Sequence, residues 1–183
     1  MKTNMKTNAK QLPQRILAIG NMQHHINYSV TTGVDEDGNP DYNYETAHVN
    51  GEPTYDLLVK SIIADKYSES KEIALLNNYN ADKDVQEYVE YQQFRELAKW
   101  IASEDRLLTA DEVEMQNQSL KKIKVTIPIA KVVAGGVYAN LADLLLKTRV
   151  IHTTINDKVV VYISYILPEH LAIFEADEEV IVE

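Results

Sequence analysis

The chain predicts an α+β fold, with an N-terminal β-hairpin and a helical segment followed by a small β-α-β-β-β unit. Three patterns carry that prediction. Apolar residues alternate at period two over 24–32 and 41–49, recur at helical spacing over 55–63 and 88–101, and alternate again from Ile123 onward. The implied divisions are an extended arm (1–22), a hairpin and helical domain (23–105), a linker (106–118) and a small α+β domain (119–183).

Residues 1–15 open with MKTN twice and are otherwise polar and unpatterned, so they read as an extended arm, with Met5 as an alternative start. Ile16-Leu17-Ala18-Ile19 is too short a core for a secretory signal. Ile26, Tyr28 and Val30 share one face of a first strand; Tyr42, Tyr44 and Val49 belong to a second. Gly33 to Pro40 between them is dense in turn formers, which makes a hairpin. If Thr32 pairs with Asp41, His25 faces His48 across the strands.

Gly51-Glu52-Pro53-Thr54 announces a helix with Tyr55, Leu58, Val59, Ile62 and Ile63 on one stripe. Ser68 suits the cap of a second helix carrying Ile73, Leu75 and Leu76, and Asn77 to Asp82 reads as a turn. Asp82 or Asp84 then caps a third helix, with Tyr88, Tyr91, Phe94, Ala98 and Ile101 along one side. Thr109-Ala110-Asp111-Glu112 matches a capping box inside the linker.

In the C-terminal part, Ile123, Val125, Ile127 and Ile129 form a strand whose Pro128 marks an edge or an early end. Gly135-Gly136 leads into a helix over 137–147. Strands over 149–155 and 158–167 meet at Asn156-Asp157, a compact hairpin signal. Pro168 to Phe174 gives a helical turn and Val180 to Val182 a last strand.

Composition excludes several classes. The absence of Cys removes disulfides, thiolate zinc sites and Cys nucleophiles, and fits a reducing compartment such as the cytoplasm of the producing cell. No apolar run has the roughly 18–20 residues of a membrane span. The net charge of −10 is uneven: residues 1–34 hold four bases and no acid, whereas 35–118 hold 20 acids against 7 bases. An acidic middle repels phosphate backbones, so nucleic acid is not an expected partner.

No constellation predicts catalysis, a cofactor or a metal. Asp35, Asp37, Asn39 and Asp41 superficially suit calcium, but the sixth and twelfth positions counted from Asp35 are Pro40 and Thr46, where an EF-hand needs Gly and Glu. His25 and His48 lack a third ligand. Gly135-Gly136 has neither the P-loop ending nor the three glycines of a dinucleotide fingerprint. The carboxylates fall on helix outer faces, in the linker or near the C-terminus. Eleven Tyr against two Phe and one Trp suit surfaces that are alternately wet and buried, and half-buried strand packing favours Tyr equally. The candidate partner-binding residues are Ile16, Leu17, Ile19, Tyr28, Tyr42 and Tyr44.

Three stretches, IADKYS (63–68), ALLNNY (74–79) and FRELAKWIA (94–102), resemble small proteins encoded by Bacteroidales phages and prophages, over about residues 42–103. The resemblance implies a non-enzymatic structural protein of a phage particle, at the tail, neck or capsid. It would be made in the host cytoplasm and oligomeric in the assembled virion, with other phage structural proteins as partners. The unit from Leu120 to Glu183 lies outside the resemblance. The other expectation is a non-virion assembly chaperone or host-directed adaptor whose acidic middle shields a basic partner.

Overall fold

The computed structural model describes residues 5–81, 85–134, 138, 151–163 and 168–183. The fold is α+β, and the chain divides into two compact units. Unit 1 is Met1–Ala74 with Tyr91–Leu120, and unit 2 is Leu75–Glu90 with Lys121–Glu183. The division falls inside α2 (Glu69–Asn80) and α3 (Val85–Ser103) and again between Leu120 and Lys121, next to the end of the expected linker at 106–118. The stretch holds the short helix that its capping box announces, Ala110–Ser119, within unit 1.

Unit 1 is built on an antiparallel sheet of β1 (Met5–Ala9), β2 (Ile16–Gly20), β3 (Gln23–Val34) and β4 (Pro40–Asn50), in the order β1-β4-β3-β2. The expected hairpin is its centre, and the expected free arm supplies both edge strands. Two of the arm's basic groups, Lys10 and Arg15, find acceptors within the chain. Lys10 pairs with Asp35 at the hairpin tip and lies 4.0 Å from Asp41. Arg15 donates from Nη2 to the carbonyls of Ala102 at 3.0 Å and Ile101 at 3.4 Å. These close the last turn of α3 (Val85–Ser103), where a cation also meets the negative end of the helix dipole. Burial lowers the Arg15 pKa, with Asp105 and Glu104 opposing it.

Ile26, Tyr28, Val30, Ala47 and Val49 form the sheet's buried side. The helices of unit 1 contribute Leu58 and Ile62 from α1 (Tyr55–Lys66), and Phe94, Leu97, Ala98 and Ile101 from α3. Tyr55, expected on the α1 stripe, is 48% exposed, while Ser61 is buried. Helix α2 (Glu69–Asn80) is capped by Ser68, whose Oγ accepts from Lys71 N at 3.3 Å. It runs through Asn77–Asn80, where a turn was expected; Tyr79 is held there by stacking on Tyr88 at 4.3 Å, both in unit 2. Its expected stripe reduces to Leu75, since Ile73 and Leu76 are exposed. The caps expected at Asp82 or Asp84 lie outside the described residues.

Helix α4 (Ala110–Ser119) begins with the predicted capping box. Thr109 N donates to Glu112 Oε2 at 2.8 Å, and Glu112 N donates back to Thr109 Oγ1 at 3.3 Å. Arg106 also grips Glu112 at 2.8 Å, and that hydrogen bond is the first cause of a Glu112 pKa lowered to about 2.

Unit 2 holds a second antiparallel sheet, β5 (Ile123–Pro128), β6 (Ile151–Ile155), β7 (Lys158–Ile163) and β8 (Ile181–Val182), in the order β6-β7-β5-β8. Pro128 ends β5, but β5 is paired on both sides and is not an edge. A Pro is tolerated there because it is the last residue of the strand. Asn156 and Asp157 join β6 to β7 with φ of 48° and 60°, the left-handed pair of a type I′ turn. Val125, Ile127, Val161 and Ile163 pack with Phe174 of α6 (Pro168–Glu175) and with Val180. A short helix, α5 (Ile129–Val133), was not foreseen. Its Lys131 meets Asp177 Oδ2 at 2.5 Å, and Tyr138 donates to the same carboxylate. The helix expected over 137–147 lies outside the described residues, apart from Tyr138. Among the described residues no helix is long and apolar enough to cross a membrane.

Candidate interaction face

Strand register sorts five of the six candidate residues onto two sides of the first sheet; the sixth, Ile19, sits at the register shift between Ala18 and Gly20. Ile16 pairs with Ile26, which pairs with Ala47, while Tyr28 pairs with Glu45; this is the buried side. Leu17 pairs with His25, which pairs with His48, and Tyr42 and Tyr44 continue the opposite side. Tyr28 is thereby corrected from a contact residue to a core residue: it is 2% exposed, and burial, with the charges of Glu45 and Asp65, pushes its hydroxyl pKa up. The signal that places it was its alternation with Ile26 and Val30. Ile16, half-buried on the same side, supports the core as well.

On the opposite side Leu17 is 39% exposed and Tyr42 and Tyr44 are half-buried; Ile19, at the register shift of β2, is 45% exposed. Met22, in the β2–β3 turn, is 63% exposed. Strand β2 is also an edge, and no described strand pairs with its outer side. Asn27 N donates to Arg15 O at 2.7 Å, so alternation along an antiparallel pair turns the N–H and C=O of Ile16 and Ala18 toward the open side. Edges are normally guarded by charge or Pro. Ile16-Leu17-Ala18-Ile19-Gly20 has neither, and the one register shift that could also guard it falls near its end, at Ile19.

Sequence reasoning missed the polar anchor of this face. Asn27 is 2% exposed; its Nδ2 donates to Gln14 O at 2.7 Å and its Oδ1 accepts from Thr46 Oγ1 at 2.9 Å. An Asn opposite a Thr inside an apolar alternation was the available signal.

His25 and His48 do face each other, with ring centroids 4.5 Å apart and planes at 79°. The expected premise was off by one, since Thr32 lies opposite Tyr42. A bulge at Ser29, with φ of 58°, inserts one residue into β3 and shifts the register only beyond Tyr28. His25 Nε2 is buried without a hydrogen bond, and burial followed by the charge of His48 lowers the His25 pKa. Among the described residues no three metal-ligating side chains converge. Asp35 instead organises the hairpin tip, accepting from Asn39 N at 2.8 Å and Asp37 N at 3.0 Å.

The depressed His25 value fixes a pH dependence. Protonation is disfavoured in the folded chain, so the stabilisation is complete above the ordinary value of 6.5 and is lost as pH falls from 6.5 through the lower folded value. Melting followed by Trp100 fluorescence should show a lower midpoint at pH 5 than at pH 7. In His25→Gln that difference should shrink, and an unchanged difference would show that His25 is not its source.

A groove of about 550 Å³ also lies in unit 1, along α1, α2 and α3. Asp56, Glu69 and Glu72 line it together with Lys60, Arg95 and Lys99, so its charges balance. It offers a basic partner no net attraction.

Comparison with family models, with curated proteins and with solved structures finds no match to this chain.

Proposed function

We propose that the protein is a non-enzymatic structural component of a bacteriophage particle, at the tail, neck or capsid, and works through protein–protein contacts. The observation that carries the contact role is the open, uncharged β2 edge with Leu17 and Ile19 exposed beside it. A neighbouring chain can add a strand there, taking the free backbone groups for affinity and the apolar side chains for register. Placement in a phage particle rests on the resemblance of residues 63–68, 74–79 and 94–102 to phage-encoded proteins. Virion subunits repeat such contacts under symmetry.

The double variant Leu17→Lys, Ile19→Lys places two charges on the edge without touching the buried side. It should fold normally and lose incorporation into particles in a complementation assay. Wild-type incorporation of the folded variant would remove β2 as the contact. The acidic adaptor is the second outcome, in which the variant still binds its partner and no version of the chain enters particles.

A further inference from the structure

Unit 2 carries a pocket of about 460 Å³ that the contact role does not use. One face of its sheet forms the floor. Because Val125 and Ile127 turn into the core, Lys124 and Thr126 project from the other face of β5. The register sets Lys124 opposite Tyr162, Thr126 opposite Val160 and Thr153 opposite Val160, so hydroxyl-bearing side chains from three strands lie in adjacent rows. Lys158 enters at the far end of β7, opposite Pro128, and Gln86 and Asn156 complete the polar lining.

The charge of this pocket is unlike that of the chain around it. The protein carries −10, yet the described lining residues include two lysines and no carboxylate. Lys124 and the position opposite Lys158 are four residues apart along β5, roughly 13 Å at the backbone. Two long cationic side chains separated by that distance can close on one ligand from both ends. Lys124 is already held by a carboxylate: Glu183 pairs with it through the side chain, fixed by reciprocal backbone bonds of 2.8 Å between the two residues. Lys158 is exposed and makes no ion pair with a described acid. The floor is enclosed, with Thr153 2% and Tyr162 5% exposed. An anion's charge is screened less there than in open water. Among the described acids near the floor, Glu90 accepts from Gln86 Nε2 at 3.1 Å, and Asp157 sits in the turn between Asn156 and Lys158.

We infer that this pocket binds a small anion bearing phosphate or carboxylate groups at both ends, held between Lys124 and Lys158 over the Thr126, Thr153 and Tyr162 hydroxyls, with Glu183 as its internal competitor. A volume of this size suits a small molecule. Lysine serves as a point charge for either anion type.

Calorimetric titration of the full chain at fixed ionic strength, with inorganic pyrophosphate and separately with citrate, tests this. Saturable one-site binding of at least one probe is expected, and the probe that binds more tightly assigns phosphate or carboxylate. Lys158→Gln, at an exposed position, should keep the wild-type melting profile and weaken binding at least about tenfold. Glu183→Gln should tighten binding, because it frees Lys124. No saturable heat with either probe, or binding that Lys158→Gln leaves unchanged, would overturn the assignment.

Discussion

Phe174→Ala is expected to remove about 3–5 kcal/mol of stability, the cost of deleting a fully buried aromatic ring. Phe174 is 0% exposed, the largest side chain so enclosed among the described residues, and packs among Val125, Ile127, Val161, Ile163 and Val180. The loss is severe because a unit this small buries little surface to compensate for chain entropy. Amide hydrogen exchange is the direct reading. The amides of Val125, Ile127, Val161 and Ile163 should lose most of their protection. Retained protection would mean that the α6 contact is not what holds the second sheet. Phe174→Leu, which keeps most of the volume, should recover a large part of the loss.

Asn27→Ala is expected to have the next largest effect, about 1–3 kcal/mol, because it leaves the buried Thr46 hydroxyl without its acceptor. The Thr46 hydroxyl, 2.9 Å from Asn27 Oδ1, would be orphaned, and the Gln14 carbonyl would lose the donor that now lies 2.7 Å away. The segment that carries Lys10 and Arg15 would lose its anchor. Trypsin should then cut after those two residues faster than in the wild type, and the Trp100 melting midpoint should fall. Adding Thr46→Val should restore part of the stability, since replacing both partners removes the unsatisfied hydroxyl. If the double variant is as unstable as the sum of the two singles, the pair is not coupled.

How much of this was legible in the sequence depended on whether side chains or tertiary pairing specify the element. Helix α3 was legible because Tyr91, Phe94, Ala98 and Ile101 follow its period and are buried. The turn at Asn156-Asp157 and the capping box at Thr109 were legible because their backbone chemistry is local. Strand β1 was not, since MKTNA has no apolar period and is a strand only because β4 offers it an edge. The Asn-rich end of α2 suggested a turn, but the Tyr79–Tyr88 stack holds it helical. The bulge at Ser29 left no mark in the apolar pattern, although it moves every partner beyond it by one residue. At the candidate face, the apolar edge Ile16–Ile19 was visible as a short uncharged run. That Tyr28 turns inward was signalled by its alternation with Ile26 and Val30, whereas the place of Tyr42 and Tyr44 on the opposite side follows only from the register. The pocket of unit 2 could not be read in advance, because its lysines lie 34 residues apart and meet only through the β5–β7 pairing.

The proposed role is tested most directly by quantitative mass spectrometry of density-gradient-purified particles from the phage or induced lysogen that encodes the chain. A structural component should be present at a fixed stoichiometry to the major capsid protein that survives purification, with a copy number matching the symmetry of its site. Abundance in infected cells together with absence from the particles would contradict the structural role.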